Sequence, residues 1–224
     1  MTMTDGRRAR GDASRRLVLA HAADLASMEG LDGLSIGRLA AEADVSKSGI
    51  ATLFGSKEQL QLATVAAAAE RFTATVIEPA RVQPRGIRRL TALLDRVVAY
   101  SEDRVFPGGC FFSAGAADFH SKPGAVRDAL ADQLESWLGY LAASARFAVD
   151  QGELPGLEDP DQLAFELQGT FEWTNLMALI READSALHYG RARRAYRSLL
   201  IASGADPAIA ELLLEPGAAT RPAA

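Results

Sequence analysis

Apolar residues recur at intervals of three and four along almost the whole chain, and no stretch alternates apolar and polar for the length of a strand. Such a chain can bury its apolar surface only by packing helix on helix. With 224 residues, 48% of them hydrophobic, it is long enough to bury roughly 70% of its unfolded surface. Gly and Pro divide the pattern. The spacing predicts a helix over 13–29, a short one after Ser35, a third from Lys47 to Phe54 and a long one over 57–77 stopped by Pro79. Further helices are predicted over 86–102, 108–119, 123–150, 160–183 and 186–203, with no internal repeat. No apolar run reaches the ~18–20 residues of a membrane helix, so no membrane partner is expected and the expected compartment is the cytoplasm. One cysteine, Cys110, excludes an intramolecular disulfide and a cysteine-rich zinc site. With only three His, no metal and no cofactor are expected.

The boundaries of the short helices carry chemical signals. Val18, Ala22, Leu25 and Ala26 share one face of the first helix, and Gly30 suits the left-handed position after its end. Ser35 and Ser46 are N-cap residues for the second and third helices. Asp44 between them tolerates a left-handed turn. Ile50, Leu53 and Phe54 give the third helix an apolar back, leaving Lys47, Ser48 and Thr52 outward, with Gly49 uncluttered. Ser56-Lys57-Glu58-Gln59 is a capping box that opens the long helix. Two short helices joined by a tight turn, the second polar outside and apolar behind, make a helix-turn-helix. A helix of this kind fits the major groove with its N-terminal residues at the base edges.

Net charge is −5, which argues against a polyanion-binding surface over the whole protein. The charge is uneven, however. Arg7, Arg8, Arg10, Arg15 and Arg16 lie in the first sixteen residues, and Lys47 and Lys57 flank the third helix. Residues 61–224 carry 16 basic and 21 acidic side chains. DNA contact is therefore expected near the N-terminus, with each phosphate neutralised steepening the salt dependence of binding.

The stretch from Gly30 through Leu34-Ser35-Ile36-Gly37-Arg38-Leu39-Ala40-Ala41-Glu42-Ala43-Asp44-Val45-Ser46-Lys47, continued by Phe54-Gly55-Ser56-Lys57-Glu58-Gln59-Leu60, resembles the DNA-binding domain of the tetracycline-repressor (TetR) family. The matching stretch is about residues 14–62. A second segment, Phe106-Pro107-Gly108-Gly109-Cys110-Phe111-Phe112 with Phe119-His120-Ser121-Lys122-Pro123-Gly124, resembles one subgroup of that family's ligand domains. The resemblance implies an all-α homodimer whose two headgroups bind a near-palindromic double-stranded operator. It also implies a C-terminal helical domain that holds a small molecule and the dimer interface. Ser46, Lys47, Ser48, Gly49 and Thr52 fall on the recognition helix, and Lys57 matches a phosphate-contacting position. Three positions depart from the pattern. Ala51 stands where Tyr is frequent and Leu53 where His or Tyr is frequent, which removes backbone-contacting aromatics. Asp44 replaces the usual turn glycine.

The expected layout is a flexible basic arm over 1–13, a helix-turn-helix domain over 14–56, a ligand-binding and dimerisation domain over 57–204, and a largely disordered tail over 205–224. The DNA-contacting set is Ser35, Ser46, Lys47, Ser48, Gly49, Thr52, Lys57 and the five N-terminal arginines. Aromatics concentrate after residue 105, and a small apolar or aromatic ligand is expected among Cys110, Phe111, Phe112, Phe119, Trp137, Phe171, Trp173 and Met177. Glu172, Thr174 and Asn175 are nearby polar groups. The dimer face is expected on the last two helices, at Leu163, Leu167, Phe171 and Thr174 and at Ala192, Ala195, Tyr196 and Leu199.

Plainer readings stand beside these. The aromatics could be ordinary core, and the two apolar faces could pack within one chain. Cys110 could be a redox sensor, but its neighbours Gly109, Phe111 and Phe112 favour burial. A Cys110–His120–Asp118 nucleophile lacks supporting geometry, because helical spacing puts 110 and 120 on different turns. The expected function is a DNA-binding transcriptional regulator, a repressor released from its operator by a small molecule, and not an enzyme. The alternative is a helical carrier or enzyme without operator specificity. A third reading is a dimeric DNA-binding protein whose pocket is vestigial. A thermal-shift screen separates it from the first, because only a bound ligand raises stability.

Overall fold

The computed structural model describes residues 3–215 and 217, with side chains from residue 11 on, Leu214 excepted. Among the described residues every regular element is a helix and none is a strand. The elements are α1 (Met3–Glu29), α2 (Ile36–Glu42), α3 (Lys47–Phe54), α4 (Lys57–Phe72), a π-turn over Thr73–Ile77 and the single turn α5 (Glu78–Ala80). There follow α6 (Ile87–Glu102), α7 (Phe111–Phe119), α8 (Ala125–Asp150), α9 (Pro160–Ile180), α10 (Ser185–Ala202) and α11 (Pro207–Glu211), the last continued by a 3₁₀ turn at Leu212–Leu214.

The chain forms two compact units, neither continuous in sequence. The first holds Met1–Arg71 and Phe106–Asp132, the second Phe72–Val105 and Gln133–Ala224. This departs from the expected boundary at 56/57, because α7 packs on α1 instead of joining the other C-terminal helices. Two further expectations are corrected. The first helix begins at Met3, not near Ala13, so the expected arm is helical from that residue on. The expected tail is helical over 207–214, with Asp206 capping α11 through the Ala208 N–H at 2.8 Å. Residues 216 and 218–224 lie outside the described residues.

In the first unit, Val18, Ala22 and Leu25 of α1 pack with Leu39 and Ala40 of α2, Ile50 and Phe54 of α3 and Leu60 of α4. All are buried, and together they form one apolar core that fixes the short helices. The segment before α7 docks on α1 by backbone contact. The Gly108 N–H donates to Ser27 Oγ at 3.0 Å, and a methyl group on Gly108 would overlap the Ser27 carbonyl. Ser27 Oγ in turn donates to the Asp24 carbonyl at 2.7 Å. Arg71 closes the contact, donating to Asp24 Oδ1 at 2.7 Å with its guanidinium 4.4 Å from the Phe106 ring centroid.

In the second unit, α10 packs on α9 and α6. Ser101 ties the three together, donating to Asn175 Oδ1 at 2.9 Å and accepting on its carbonyl from Tyr189 at 3.1 Å. Phe72 meets Tyr100 and Trp137 edge to face, at centroid distances of 5.2 and 5.1 Å. Arg193 is buried and pairs with Glu102 at 2.8 Å and Asp95 at 3.8 Å. Burial pushes the Asp95 carboxyl upward despite Arg193.

The long helix departs from ideal geometry in a regular way. Leu60, Thr64, Ala68, Phe72, Val76 and Ala80 are all buried, at strict intervals of four. In an α-helix that spacing drifts about 40° per step. The π-turn widens the spiral at Thr73–Ile77 and draws the later residues back toward the same line. It also ends two residues before Pro79, and the helix runs through that proline to Ala80 instead of stopping at 77. A wide turn relieves the clash between a proline ring and the carbonyl four residues back.

Gly108→Ala is expected to destabilise the protein by about 1–3 kcal/mol or more, because the obstructing atoms are backbone. Gly139→Ala, where a methyl would meet nothing within 4 Å of α8, is expected to stabilise by about 0.5–1 kcal/mol. Denaturant unfolding of both variants checks the pair.

Candidate nucleic-acid interface

The turn between α2 and α3 is built as its sequence predicts. Asp44 adopts φ 51°, and the Val45 N–H reaches the Ala40 carbonyl at 3.0 Å. Ser46 caps α3, its Oγ accepting from the Gly49 N–H at 3.0 Å and lying 3.1 Å from Ser48 Oγ. Ser35 caps α2 through the Arg38 N–H at 3.5 Å, and Ser56 caps α4 through the Gln59 N–H at 3.1 Å. Three hydroxyls therefore satisfy three helix starts.

Ile50 and Phe54 are buried beneath α3, while Lys47, Ser48, Ala51 and Thr52 are exposed. Thr52 donates its hydroxyl proton to the Ser48 carbonyl at 2.8 Å. That leaves an acceptor oxygen and a methyl group outward, the two features that read an amino group and a thymine methyl. A methyl on Gly37 would come within 3.3 Å of Lys47 Cε, so the lysine lies across the space that this glycine leaves open. Gly11 and Ser14 of α1, together with Val45, Ser46, Ser48, Gly49, Thr52 and Leu53, line a groove of about 530 Å³ without an acidic side chain. Gly11 and Ser14 were not expected here. Their only signal in the sequence is their position one to two turns before Val18 on α1.

The basic residues divide. Arg16 is exposed. Arg15 is committed internally, with its guanidinium 4.5 Å from the Phe54 ring centroid and Nη1 donating to the Leu53 carbonyl at 2.9 Å. It locks the end of α3 and does not face outward as a free charge. Lys57 is likewise held, donating to the Asp32 carbonyl at 2.5 Å with the Asp32 carboxylate 3.7 Å away. The side chains of Arg7, Arg8 and Arg10 lie outside the described residues.

Sequence reasoning missed a cluster beside this surface. Lys122 donates to Asp32 Oδ2 at 2.9 Å and to Asp118 Oδ1 at 2.8 Å, and Asp118 Oδ2 accepts from the Asp32 N–H at 2.6 Å. The end of α7 thus grips the loop between α1 and α2. The hydrogen bond from Lys122, aided by Lys57, holds the Asp32 carboxyl below its ordinary range. Asp118 and Asp32 hold Lys122 in its charged form.

The expected ligand set divides between the two units. Cys110, Phe111, Phe112 and Phe119 are buried in the first unit, with Phe111 5.3 Å from Phe112 and 5.7 Å from Phe106. Trp137, Phe171 and Met177 belong to the second unit, where Trp137 Nε1 donates to Gln168 at 2.8 Å and Gln168 to Glu172 at 2.7 Å. Trp173 is 64% exposed and is not part of any interior. The expected dimer face is corrected as well. Leu163, Leu167, Phe171, Thr174, Ala192 and Tyr196 are buried within their own chain, and Ala195 and Leu199 are half-buried. The hydroxyl of Tyr196 is wholly buried, and that burial pushes its pKa upward. Among the described residues no group of His, Cys, Asp or Glu could hold a metal ion, and no helix is long and apolar enough to cross a membrane.

Comparison with known families places both ends of the chain. Residues 18–64 match the family described as bacterial regulatory proteins, tetR family, and residues 86–196 match the tetracyclin repressor-like C-terminal domain. The chain belongs to the TetR family. It is a DNA-binding transcriptional regulator, and α3 lies within the matched N-terminal domain. Among solved structures, this TetR chain is similar to a TetR transcriptional regulator from Chloroflexus aurantiacus at 26% identity and a TM-score of 0.76, over 86% of this chain and 95% of the other. A putative TetR-family regulator from a Rhodococcus species shares the fold at 22% identity and a TM-score of 0.69, over 84% and 99% of the two chains. AibR, solved in complex with isovaleryl coenzyme A and operator DNA, shares it at 21% identity and a TM-score of 0.61, over 73% and 86%. Comparison with curated proteins finds no match.

Lys122→Met is expected to lower stability at neutral pH. A carboxyl whose pKa is depressed on folding stabilises the protein above its ordinary value of about 3.8 and loses that contribution as pH falls through the lower folded value. The gap between variant and unmodified chain should therefore close on acidification. Thermal unfolding followed at neutral pH and near pH 3 checks it; a gap of constant size would exclude the electrostatic origin.

Proposed function

We propose that this regulator is a homodimeric repressor. Two α3 helices would enter successive major grooves of a near-palindromic operator, about 34–36 Å apart. A small apolar or aromatic molecule bound in the second unit would release it. The observation that carries the DNA half is α3 itself, capped by Ser46, anchored by Ile50 and Phe54, and free on its Lys47–Ser48–Thr52 face. Ligand response is supported by family membership and by AibR, which was solved with both a small molecule and operator DNA. Trp137, Phe171 and Met177 remain the proposed ligand-facing residues. A ligand acts here only through its differential affinity for the DNA-competent and incompetent forms.

The dimer half is supported by the outer face of α9. Phe165, Trp173, Leu176 and Ile180 are 67%, 64%, 45% and 67% exposed. With Gly169 they fall at i, i+4, i+8, i+11 and i+15, within an arc of about 80°. Single exposed apolar residues are ordinary, but an aligned stripe on one helix is a surface built for a partner. A second copy of the chain offers the same stripe, which suits an isologous two-fold contact.

Fluorescence anisotropy with DNA from upstream of the chain's own reading frame tests the DNA half. Lys47→Ala is expected to weaken binding about tenfold and reduce the log–log salt slope by about one if it meets a phosphate. Thr52→Ala is expected to cost about 1–3 kcal/mol on the cognate duplex and little on an unrelated one. Equal weak binding to every duplex would favour the carrier reading. For the dimer, Trp173→Asp combined with Ile180→Asp is expected to give a folded monomer by sedimentation. A variant that stays dimeric would place the interface elsewhere.

A further inference from the structure

A cleft in the second unit lies apart from the residues assigned above. It is about 590 Å³, within the ~300–1,000 Å³ typical of small-molecule sites, and runs between the loop that follows α5 and the C-terminal half of α8. Arg81, Arg85 and Arg89 line one side, and Tyr140 and Phe147 the other. Arg81 stands 6.0 Å from the Tyr140 ring centroid and Arg85 6.0 Å from that of Phe147.

The charge balance is uneven. Arg81 is paired with Glu78 at 2.6 Å. Glu153 is already engaged, accepting from the Ile87 N–H at 2.8 Å and so capping α6. Arg89 is held in one plane by carbonyls, donating through Nε and Nη2 to Gln83 at 3.2 and 2.9 Å and through Nη2 to Arg81 at 3.3 Å. Carbonyls orient a guanidinium without cancelling its charge. Arg85 forms no ion pair among the described residues and is exposed. Thus two guanidiniums without carboxylate partners, one of them fixed by carbonyl contacts, face a cleft whose far wall is aromatic. Guanidinium forks match phosphate oxygens two at a time, and an aromatic wall favours a flat organic body.

We propose that this cleft binds an organic phosphate, a phosphate monoester carried on a flat aromatic group. The phosphate would sit between Arg85 and Arg89, and the ring would lie along Tyr140 and Phe147. The inference concerns binding within this unit alone, so a failed operator titration leaves it standing.

Isothermal titration of the full chain at low salt tests it, with phenyl phosphate, inorganic phosphate and phenol as probes. Phenyl phosphate is expected to bind saturably, and each half-probe at least about tenfold more weakly. Arg85→Gln should weaken phenyl phosphate about tenfold and Arg85→Lys by less, because a lysine keeps the charge and loses the fork. Both should leave thermal unfolding unchanged, since Arg85 supports no other contact in the cleft beyond Phe147. Arg191→Gln, on the exposed side of α10, serves as a charge control with binding unaltered. Absence of saturation, equal affinity for inorganic phosphate, or indifference to Arg85→Gln would each overturn the proposal.

Discussion

The first unit depends on two backbones in direct contact. Gly108 lies against Ser27 with no room for a side chain, and around that contact a chain of groups closes: Phe106 under Arg71, Arg71 on Asp24, Asp24 to Ser27, Ser27 to Gly108. Every member is charged or polar except the ring. Ser27 is buried, and a buried donor or acceptor left alone costs about 1–3 kcal/mol, whereas Arg71 and Asp24 are partly exposed and contribute less. The contact makes residues 106–132 part of the DNA-binding body. The Asp32–Lys122–Asp118 cluster then fixes a second point, at the loop entering α2. A headgroup held at two points by α7 and its flanks has less freedom than three helices on a tether.

Charge counting does not show how the basic side chains of α1 and α4 are held. Arg15 and Lys57 were both expected outward; Arg15 is committed to the Leu53 carbonyl, and Lys57 is exposed but donates to the Asp32 carbonyl. Arg38 pairs with Glu29 and with Glu42. What remains on the described part of α3 is one lysine and a row of small hydroxyl groups. Phosphate attraction is sequence-blind, whereas hydroxyls and a threonine methyl act only at short range on base edges.

The helix-turn-helix was legible because its signals are local. A capping serine, a left-handed Asp44 and three apolar residues on one face of α3 each act within four residues of sequence. The docking of Phe106–Gly124 on α1 was not legible, because Gly108 and Ser27 stand 81 residues apart and neither carries a sign of the other. The start of α1 was placed late because its first turns are polar and lack a periodic apolar stripe. The expected dimer face proved to be buried in its own chain for a different reason. Leu163–Leu167–Phe171–Thr174 and Phe165–Trp173–Leu176–Ile180 both recur at three and four, so α9 is apolar on two sides. Periodicity says that each stripe is buried somewhere; only packing says that the first is buried in its own chain.

The strict four-residue line along α4 and α5 carries a last consequence. A π-turn has the geometry of one extra residue let into an α-helix without breaking it. Removing one residue from Thr73–Ile77 would restore the ordinary spiral and leave Ala80 near the same line, because seven α-helical steps turn about 700° and eight steps through the wider turn cover nearly the same angle. The cost would fall on Pro79, whose ring would again meet the carbonyl four residues back.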